Sequence, residues 1–103
     1  MKNTDTVSKP LAELAGYQDG SVVSNQILKK DAGTITLFAF DKGQGLSEHT
    51  APFDAFIQVL DGSAEITVAG SPHLVKKGEF IILPADKSHA VNAVERFKMM
   101  LVM

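Results

Sequence analysis

The sequence predicts an all-β domain, because three features of its 103 residues favour strands. First, polar and apolar residues alternate over residues 63–68, which is the period of a strand with one solvent-exposed face. Second, turn signals recur at short intervals, including Asp19-Gly20 and Lys77-Gly78. Third, only residues 10–15 carry a helical pattern, about one turn long. Many short strands separated by such turns are typical of a sandwich or barrel.

The predicted strands can be placed in order along the chain. Each is a short apolar or alternating run bounded by a turn signal. They comprise residues 34–40, 55–60, 63–68, 80–83 and 97–103. Between the second and third of these runs, Asp61-Gly62 predicts a two-residue type I′ hairpin turn, since both residue types tolerate positive φ. The last strand is rich in Met, a residue that usually fills gaps in a core.

Two of these strands are apolar on both faces, and residues 34–40 also carry some apolar residues on each face. Residues 55–60 and 80–83 have no consistently polar side, so their outer face must be covered as well as their inner one. The amino-terminal segment, a neighbouring sheet and a second copy of the chain are the candidates for that cover. We expect the second copy, and therefore a homodimer, because exposed apolar patches of this size are rare on monomers.

We predict that the inward faces of the strands form one apolar interior. Its predicted members are Ile35, Leu37, Ile57, Val59, Ala64, Ile66, Val68, Ile82, Val91 and Leu101. A chain of this length buries roughly 65% of the surface that its unfolded form exposes, which is enough for one core. We therefore expect a single domain over residues 1–103, with residues 1–20 peripheral and a barrel from about 21 to 103.

Composition and charge exclude several classes of function. Ten Lys and Arg stand against twelve Asp and Glu, and there is no basic run of the kind that binds nucleic acid. The chain has no Cys, so neither disulfides nor thiolate chemistry is available. No apolar run approaches the roughly 20 residues of a membrane-spanning helix, and the polar residues 1–10 lack the pattern of a signal peptide. We expect a cytoplasmic protein with no nucleic-acid or membrane partner.

Two glycine-bounded segments carry the strongest functional signal. Each begins with a glycine and places a histidine at a fixed spacing from it. The residues concerned are Gly43, His49 and Gly62 in the first segment, and Gly78, Pro84 and His89 in the second. This pattern resembles the two-motif signature of the cupins, which are jelly-roll β-barrels also described as double-stranded β-helices. The resemblance implies that fold over roughly residues 21–103, and it also implies dimers.

The first segment lacks two residues of the family's metal-binding pattern. Cupins that bind a metal place a second histidine two positions after the first and a glutamate further along. In this sequence Ala51 and Ala55 occupy those two positions. The resemblance therefore implies that His49 and His89 are the two metal ligands retained out of four. In the second segment, Asp86 stands where the family pattern has a glycine.

We predict a ligand-binding pocket in the lumen of the barrel. Its predicted lining is His49, Ala51, Ala55, Ile57 and His89. Two imidazoles alone hold a metal weakly, because zinc and iron normally take three or more protein ligands. Pro52 interrupts the strand, so Asp54 is the candidate for a third ligand that turns inward. The cofactor of such a site would be a divalent zinc, iron, nickel or manganese ion.

Three functions remain open from the sequence. The first is a cupin barrel that binds a small polar or apolar molecule in its lumen, with no firmly held metal. The second is a metal-dependent enzyme of the dioxygenase or isomerase type that uses His49, His89 and a recruited ligand such as Asp54. The third is a dimeric accessory protein that acts through its outer surface. We favour the first, and the fold by itself assigns no reaction.

Overall fold

The computed structural model describes residues 8–103 and shows an almost all-β chain. In this part of the chain, one turn of 3₁₀ helix, Leu11–Leu14, precedes nine strands. The strands are β1 (Val22–Lys30), β2 (Gly33–Phe40), β3 (Gly45–His49), β4 (Ala55–Asp61), β5 (Ser63–Val68), β6 (Ser71–Lys76), β7 (Phe80–Leu83), β8 (His89–Asn92) and β9 (Phe97–Val102). Every predicted strand is present, with its ends correct to within about one residue. Within residues 8–103, no helix has the length and apolar character needed to cross a membrane.

Two antiparallel sheets pack face to face as a jelly roll. The larger sheet has the strand order β1-β2-β9-β4-β7, and the smaller sheet has the order β3-β8-β5-β6. From β2 onward the chain crosses repeatedly from one sheet to the other, and only β5 and β6 follow each other within a sheet. One buried cluster contains residues from both sheets, so their inner faces enclose a common interior.

The predicted hairpin turn at Asp61-Gly62 is wrong. Asp61 ends β4 and pairs with Lys98, and β4 and β5 belong to different sheets. Of the two turn residues only Gly62 has a positive φ, 69°, and a Cβ at this position would collide with the carbonyl of Arg96. Glycine is needed because the chain bends sharply there and passes from one sheet to the other. A local turn signal does not distinguish such a crossing from a hairpin.

Most of the predicted interior lies in the buried cluster between the sheets. Its fully or almost fully buried predicted members are Ile57, Val59, Ala64, Ile66 and Val91. Val68 and Leu101 are partly buried against them. The cluster also contains Phe40 and Phe97, whose rings stack with their centroids 4.5 Å apart. These two rings were not part of the prediction.

Three predicted interior residues lie on the outer face of the larger sheet instead. Ile82 is 45% exposed on β7. Leu37 is fully buried, but in a second cluster outside β2, and Ile35 lies on the same side and is only partly buried. Phe40 takes the inner side of β2. Because β2 and β7 are apolar on both faces, the two-residue period could not indicate which face turns inward.

The amino-terminal segment covers part of this outer face. The second cluster consists of Leu11, Leu14, Ala15, Tyr17, Val23, Leu37, Ala39, Leu60 and Met100. The hydroxyl of Tyr17 donates a hydrogen bond to the carboxylate of Asp61 at 2.6 Å, and the ammonium of Lys98 donates to the carbonyl of Ala12 at 2.7 Å. Burial, together with the bond to Asp61, raises the pKa of Tyr17. The segment therefore provides one part of the cover that the doubly apolar strands need.

Another part of the outer face stays exposed. Phe80 is 61% exposed at the edge strand β7, beside the exposed Ile82. Phe56 on β4 is partly buried, pairs with Ile82 and stacks on Phe80 with the ring centroids 5.4 Å apart. We call these three residues the Phe80 patch. The described part of the amino-terminal segment leaves this patch open.

Candidate functional site

His49 and His89 meet across neighbouring strands of the smaller sheet. His49 ends β3 and pairs with His89, the first residue of β8, while Leu46 pairs with Val91. Three steps along β3 therefore match two steps along β8, which is a β-bulge. Strict alternation would place Leu46 and His49 on opposite faces, and the bulge returns His49 to the lumen side. Both histidines consequently line the interior.

A hydrogen bond links the two imidazole rings. Their Nε2 atoms lie 3.0 Å apart, and the ring planes make an angle of 73°. Nδ1 of His49 lies 2.8 Å from the carbonyl oxygen of Ser47, which can only accept, so this nitrogen carries the proton. In the neutral pair, Nε2 of His49 is therefore the acceptor and Nε2 of His89 the donor. Nδ1 of His89 has no hydrogen-bond partner within residues 8–103.

Burial keeps His89 neutral. This residue is 7% exposed, whereas His49 is exposed at the rim of the lumen. Loss of hydration lowers the pKa of His89 below its ordinary value of 6.5, and the neighbouring His49 lowers it further. The backbone of Lys87 has a smaller effect that raises the pKa of His89. At pH 7 the His89 ring therefore contributes hydrogen bonds to the lumen rather than charge.

The histidines line a small apolar cavity. Its volume is about 40 Å³, which has room for only a few non-hydrogen atoms. The lining consists of Leu46, His49, Ala51, Ala55, Ile57, Leu83, His89, Val91, Met99, Leu101 and Met103. The structure thus brings all five predicted pocket residues together, and their role in binding stays a prediction. Met99 and Met103 were not expected here, because a Met-rich strand is also the pattern of ordinary core filling.

Two hydrogen bonds brace the loop that carries Ala51. The N–H of Asp86 donates to the carbonyl of Ala51 at 2.8 Å, and the N–H of Ala85 donates to the carboxylate of Asp54 at 2.8 Å. Asp86 has a φ of 64°, a left-handed conformation that costs glycine nothing. This conformation explains why the family pattern has a glycine at this position. The turn after β7 therefore holds the loop between β3 and β4 against the mouth of the cavity.

The residues present do not complete a metal site. Two imidazole nitrogens converge, but Ala51 and Ala55 offer only methyl groups to the lumen. The carboxylate of Asp54 is bound to the backbone of Ala85, and the structure does not bring it to the histidines. Over the described range 8–103, no group of three or more His, Cys, Asp or Glu side chains could hold one ion. A third-ligand role for Asp54 stays a prediction that requires this loop to rearrange.

Two sheets around a histidine-lined lumen define a small jelly-roll barrel. The cupin-domain family matches residues 36–103, about two thirds of the chain. The chain therefore belongs to the cupin family, as its two glycine-bounded segments indicate. A comparison with curated proteins found no match.

Solved structures of bacterial proteins share this fold. A cupin 2 conserved barrel domain protein from Leptotrichia buccalis is 45% identical over 90% of this chain, with a TM-score of 0.87, and the chain spans 45% of that protein's length. A conserved protein of unknown function from Streptococcus pyogenes is 32% identical, with 99% of this chain and 88% of that one covered and a TM-score of 0.87. A cupin superfamily protein from Desulfitobacterium hafniense is 29% identical, with coverages of 96% and 91% and a TM-score of 0.90. These similarities show the family and the fold.

Proposed function

We propose that this cupin binds a small molecule in its lumen and that His49 and His89 orient a polar group of that molecule. The observation that carries the proposal is the hydrogen-bonded pair, Nε2 to Nε2 at 3.0 Å, in a cavity whose other lining residues are apolar. Small-molecule sites generally combine apolar walls with a few polar groups that fix orientation. The lumen has this composition.

The neutral pair favours a ligand group that both donates and accepts hydrogen bonds. His89 offers an Nε2 proton and His49 an Nε2 lone pair, each now satisfied by the other ring. A hydroxyl group inserted between the rings replaces both partners, because it donates and accepts. His49 is exposed at the rim, so its ring has room to turn and admit that group. A carboxylate only accepts, and it would leave the lone pair of His49 without a donor.

Titration with 1-propanol, which has one hydroxyl and a short apolar tail, tests the proposal. We expect the methyl resonances of Ala51, Ile57 and Leu101 to shift saturably in NMR spectra. His89→Leu should weaken binding about tenfold, which is the loss of affinity expected when about one to two hydrogen bonds are removed. His73→Leu is the matched control, because His73 is exposed on β6 and does not line the lumen. Equal affinities in the wild type and both variants would contradict a role for the histidine pair.

A metal-dependent enzyme of the dioxygenase or isomerase type is the second candidate. The 3.0 Å separation of the Nε2 atoms favours it, since two nitrogens at about 2.1 Å from one ion and at right angles lie about 3.0 Å apart. This enzyme needs a third ligand such as Asp54, which would have to release the N–H of Ala85. Elemental analysis of protein purified without chelators or a metal-affinity tag separates the two candidates. Near-stoichiometric zinc, iron, nickel or manganese supports the enzyme.

We also propose that the protein forms a homodimer through the Phe80 patch. Pairing two copies there removes from water an apolar surface that the single chain exposes, chiefly Phe80 at 61% and Ile82 at 45%. The patch lies on the opposite side of the larger sheet from the lumen, so dimerisation and ligand binding are compatible. A dimeric accessory protein that acts through this outer surface is the third candidate function. The cytoplasm stays the expected compartment.

A further inference from the structure

A larger pocket at the surface shares one lining residue with the lumen. This second cavity, the rim pocket, has a volume of about 280 Å³ and is lined by Lys30, Asp31, Ala32, Gly33, Thr34, Phe53 and Met103. Among residues 8–103, only Met103 lines both the rim pocket and the lumen. We propose that the two cavities are halves of one binding site and that Met103 controls passage between them. This inference rests on the lumen-binding function proposed above.

The backbone of Met103 is held in place while its side chain is free to change rotamer. Its carbonyl accepts a hydrogen bond from the N–H of Thr34 at 2.7 Å, and its own N–H donates to the carbonyl of Thr34 at 3.0 Å. A Cβ on Gly33 would collide with the Met103 carbonyl, so glycine permits this close approach. Met103 is 41% exposed, and a methionine side chain has three rotatable bonds. It can therefore move aside without moving β9 or β2.

The sizes of the two cavities favour a joined site. The lumen alone, about 40 Å³, accommodates only a few non-hydrogen atoms of a ligand. Binding sites for small molecules usually measure about 300–1,000 Å³. With the rim pocket added, the site reaches the lower end of that range. Because Met103 lies between the two cavities, it sets the length of ligand that the joined site accepts.

The chemistry of the rim pocket indicates the class of ligand. Phe53 is 63% exposed and presents an aromatic surface to an apolar chain that emerges past Met103. Lys30, Asp31 and Thr34 supply polar groups at the solvent side of the same pocket. A ligand that spans both cavities therefore has a hydroxyl head between the histidines and an elongated apolar body. We infer a hydroxyl-bearing amphiphile of about six to ten non-hydrogen atoms, a size that matches the joined volume.

The affinities of 1-propanol and 1-hexanol for Met103 variants test the inference. Met103→Ala should strengthen 1-hexanol binding about threefold or more relative to 1-propanol binding, because no side chain must then change rotamer to admit the longer chain. Met103→Phe should weaken 1-hexanol about threefold or more, because a rigid ring narrows the passage. Met100→Ala is the matched control on the same strand, since Met100 packs beneath the amino-terminal segment and lines neither cavity. It should change neither affinity.

The outcomes distinguish this inference from the proposed function. Suppose that 1-propanol binds and that His89→Leu weakens its binding, but that the affinity for 1-hexanol is the same in both Met103 variants as in the wild type. The joined site is then overturned, and lumen binding stands. If 1-propanol does not bind at all, lumen binding is contradicted, and xenon then provides an independent readout of the passage. In Met103→Ala, added xenon should shift the NMR resonances of residues in both cavities, from Ile57 in the lumen to Thr34 in the rim pocket. Xenon shifts confined to Ile57 in that variant would also overturn the joined site.

Discussion

The Nε2 atoms of His49 and His89 lie 3.0 Å apart because a bulge in β3 turns His49 toward the lumen. The carbonyl of Ser47 assigns the proton of His49 to Nδ1, so the pair offers one donor and one acceptor to the cavity. Ala51 and Ala55 add no further polar group to the lumen. The pair is therefore suited to orienting a hydroxyl group, and its donor set is too small for a typical zinc or iron site.

Stability should depend on pH through His89. Burial lowers its pKa in the folded protein below the value of 6.5 that it has when exposed, so on acidification the unfolded chain takes up the proton first. The free energy of unfolding should be level above about pH 7.5 and should fall as the pH drops through about 6.5 toward the folded-state pKa. Urea denaturation between about pH 8 and 5.5, above the carboxylate range, measures this effect.

The matched variants for this experiment are His89→Leu and His73→Leu. His89→Leu removes the buried imidazole and should flatten the pH dependence between about pH 7.5 and 5.5. His73→Leu changes an exposed histidine on β6 and should keep the dependence of the wild type. A wild-type protein that becomes more stable on acidification would mean that the fold stabilises the charged form of His89, which contradicts its burial.

The interior should be sensitive to truncation at Ile66 and insensitive at the adjacent Thr67. Ile66 is fully buried between the sheets, so Ile66→Ala should cost about 2–5 kcal/mol of unfolding free energy. Thr67 lies on the opposite face of β5 and is partly exposed, so Thr67→Ala should cost less than about 1 kcal/mol. Denaturant titration of both variants measures the difference. Equal losses would show that β5 has been assigned the wrong inward face.

The homodimer should depend on the Phe80 patch. Phe80→Lys places a charge at the centre of the patch and should shift the mass measured by light scattering at micromolar concentration from dimer to monomer. Phe53→Lys is the control, because Phe53 is similarly exposed, 63% against 61%, but lies in the loop between β3 and β4. It should leave the mass unchanged. A wild-type protein that is already a monomer under these conditions would contradict the proposed homodimer.

A metal site should appear when the missing ligands are restored. In the double variant Ala51→His with Ala55→Glu, the new side chains start from positions that line the lumen beside His49 and His89. Affinity for zinc, nickel or manganese, measured by calorimetry, should rise well above that of the wild type and fall again when His89→Ala is added. Ala55 is 5% exposed, so overpacking should cost about 1–3 kcal/mol in the absence of metal.

A folded double variant that binds metal no better than the wild type would contradict the placement of positions 51 and 55 in the family pattern. The heat of binding and the pH dependence of affinity also indicate how many imidazoles take part, because each must be deprotonated to bind the ion. The single variants Ala51→His and Ala55→Glu serve as intermediate controls. Each should bind more weakly than the double variant, since each supplies only one of the two missing ligands.

The alternation and apolar runs of the sequence were sufficient to predict five of the nine strands within residues 8–103, but not every inward face. Residues 63–68 have one polar side, and Ile66 lies inside as expected. In β2 and β7 both sides are apolar, and Leu37 and Ile82 were assigned to the wrong face. What decides the face in β2 is the amino-terminal segment, which packs on Leu37 from residues distant in sequence. A local period carries no information on such a contact.

The candidate site could be located from the sequence, but its chemistry could not. The spacing of glycines and histidines resembles the cupin pattern, and that resemblance implied that His49 and His89 share one cavity, as they do. The bulge before His49 and the bond from its Nδ1 to Ser47 depend on how β3 pairs with β8. The place of Met103 between two cavities depends on its pairing with Thr34. Neither pairing can be recognised from the local sequence pattern.

The ring nitrogens of the two histidines provide the most direct test of the proposed binding site. Long-range ¹H–¹⁵N correlation spectra at about pH 7.5, where His89 is neutral, identify the tautomer of each ring. We predict the proton on Nδ1 of His49 and on Nε2 of His89, with the Nε2 resonances of both rings shifting when 1-propanol is added. Protons on Nδ1 of both rings with both Nε2 atoms bound to a metal, or rings that do not respond to 1-propanol, would contradict a hydroxyl-binding histidine pair.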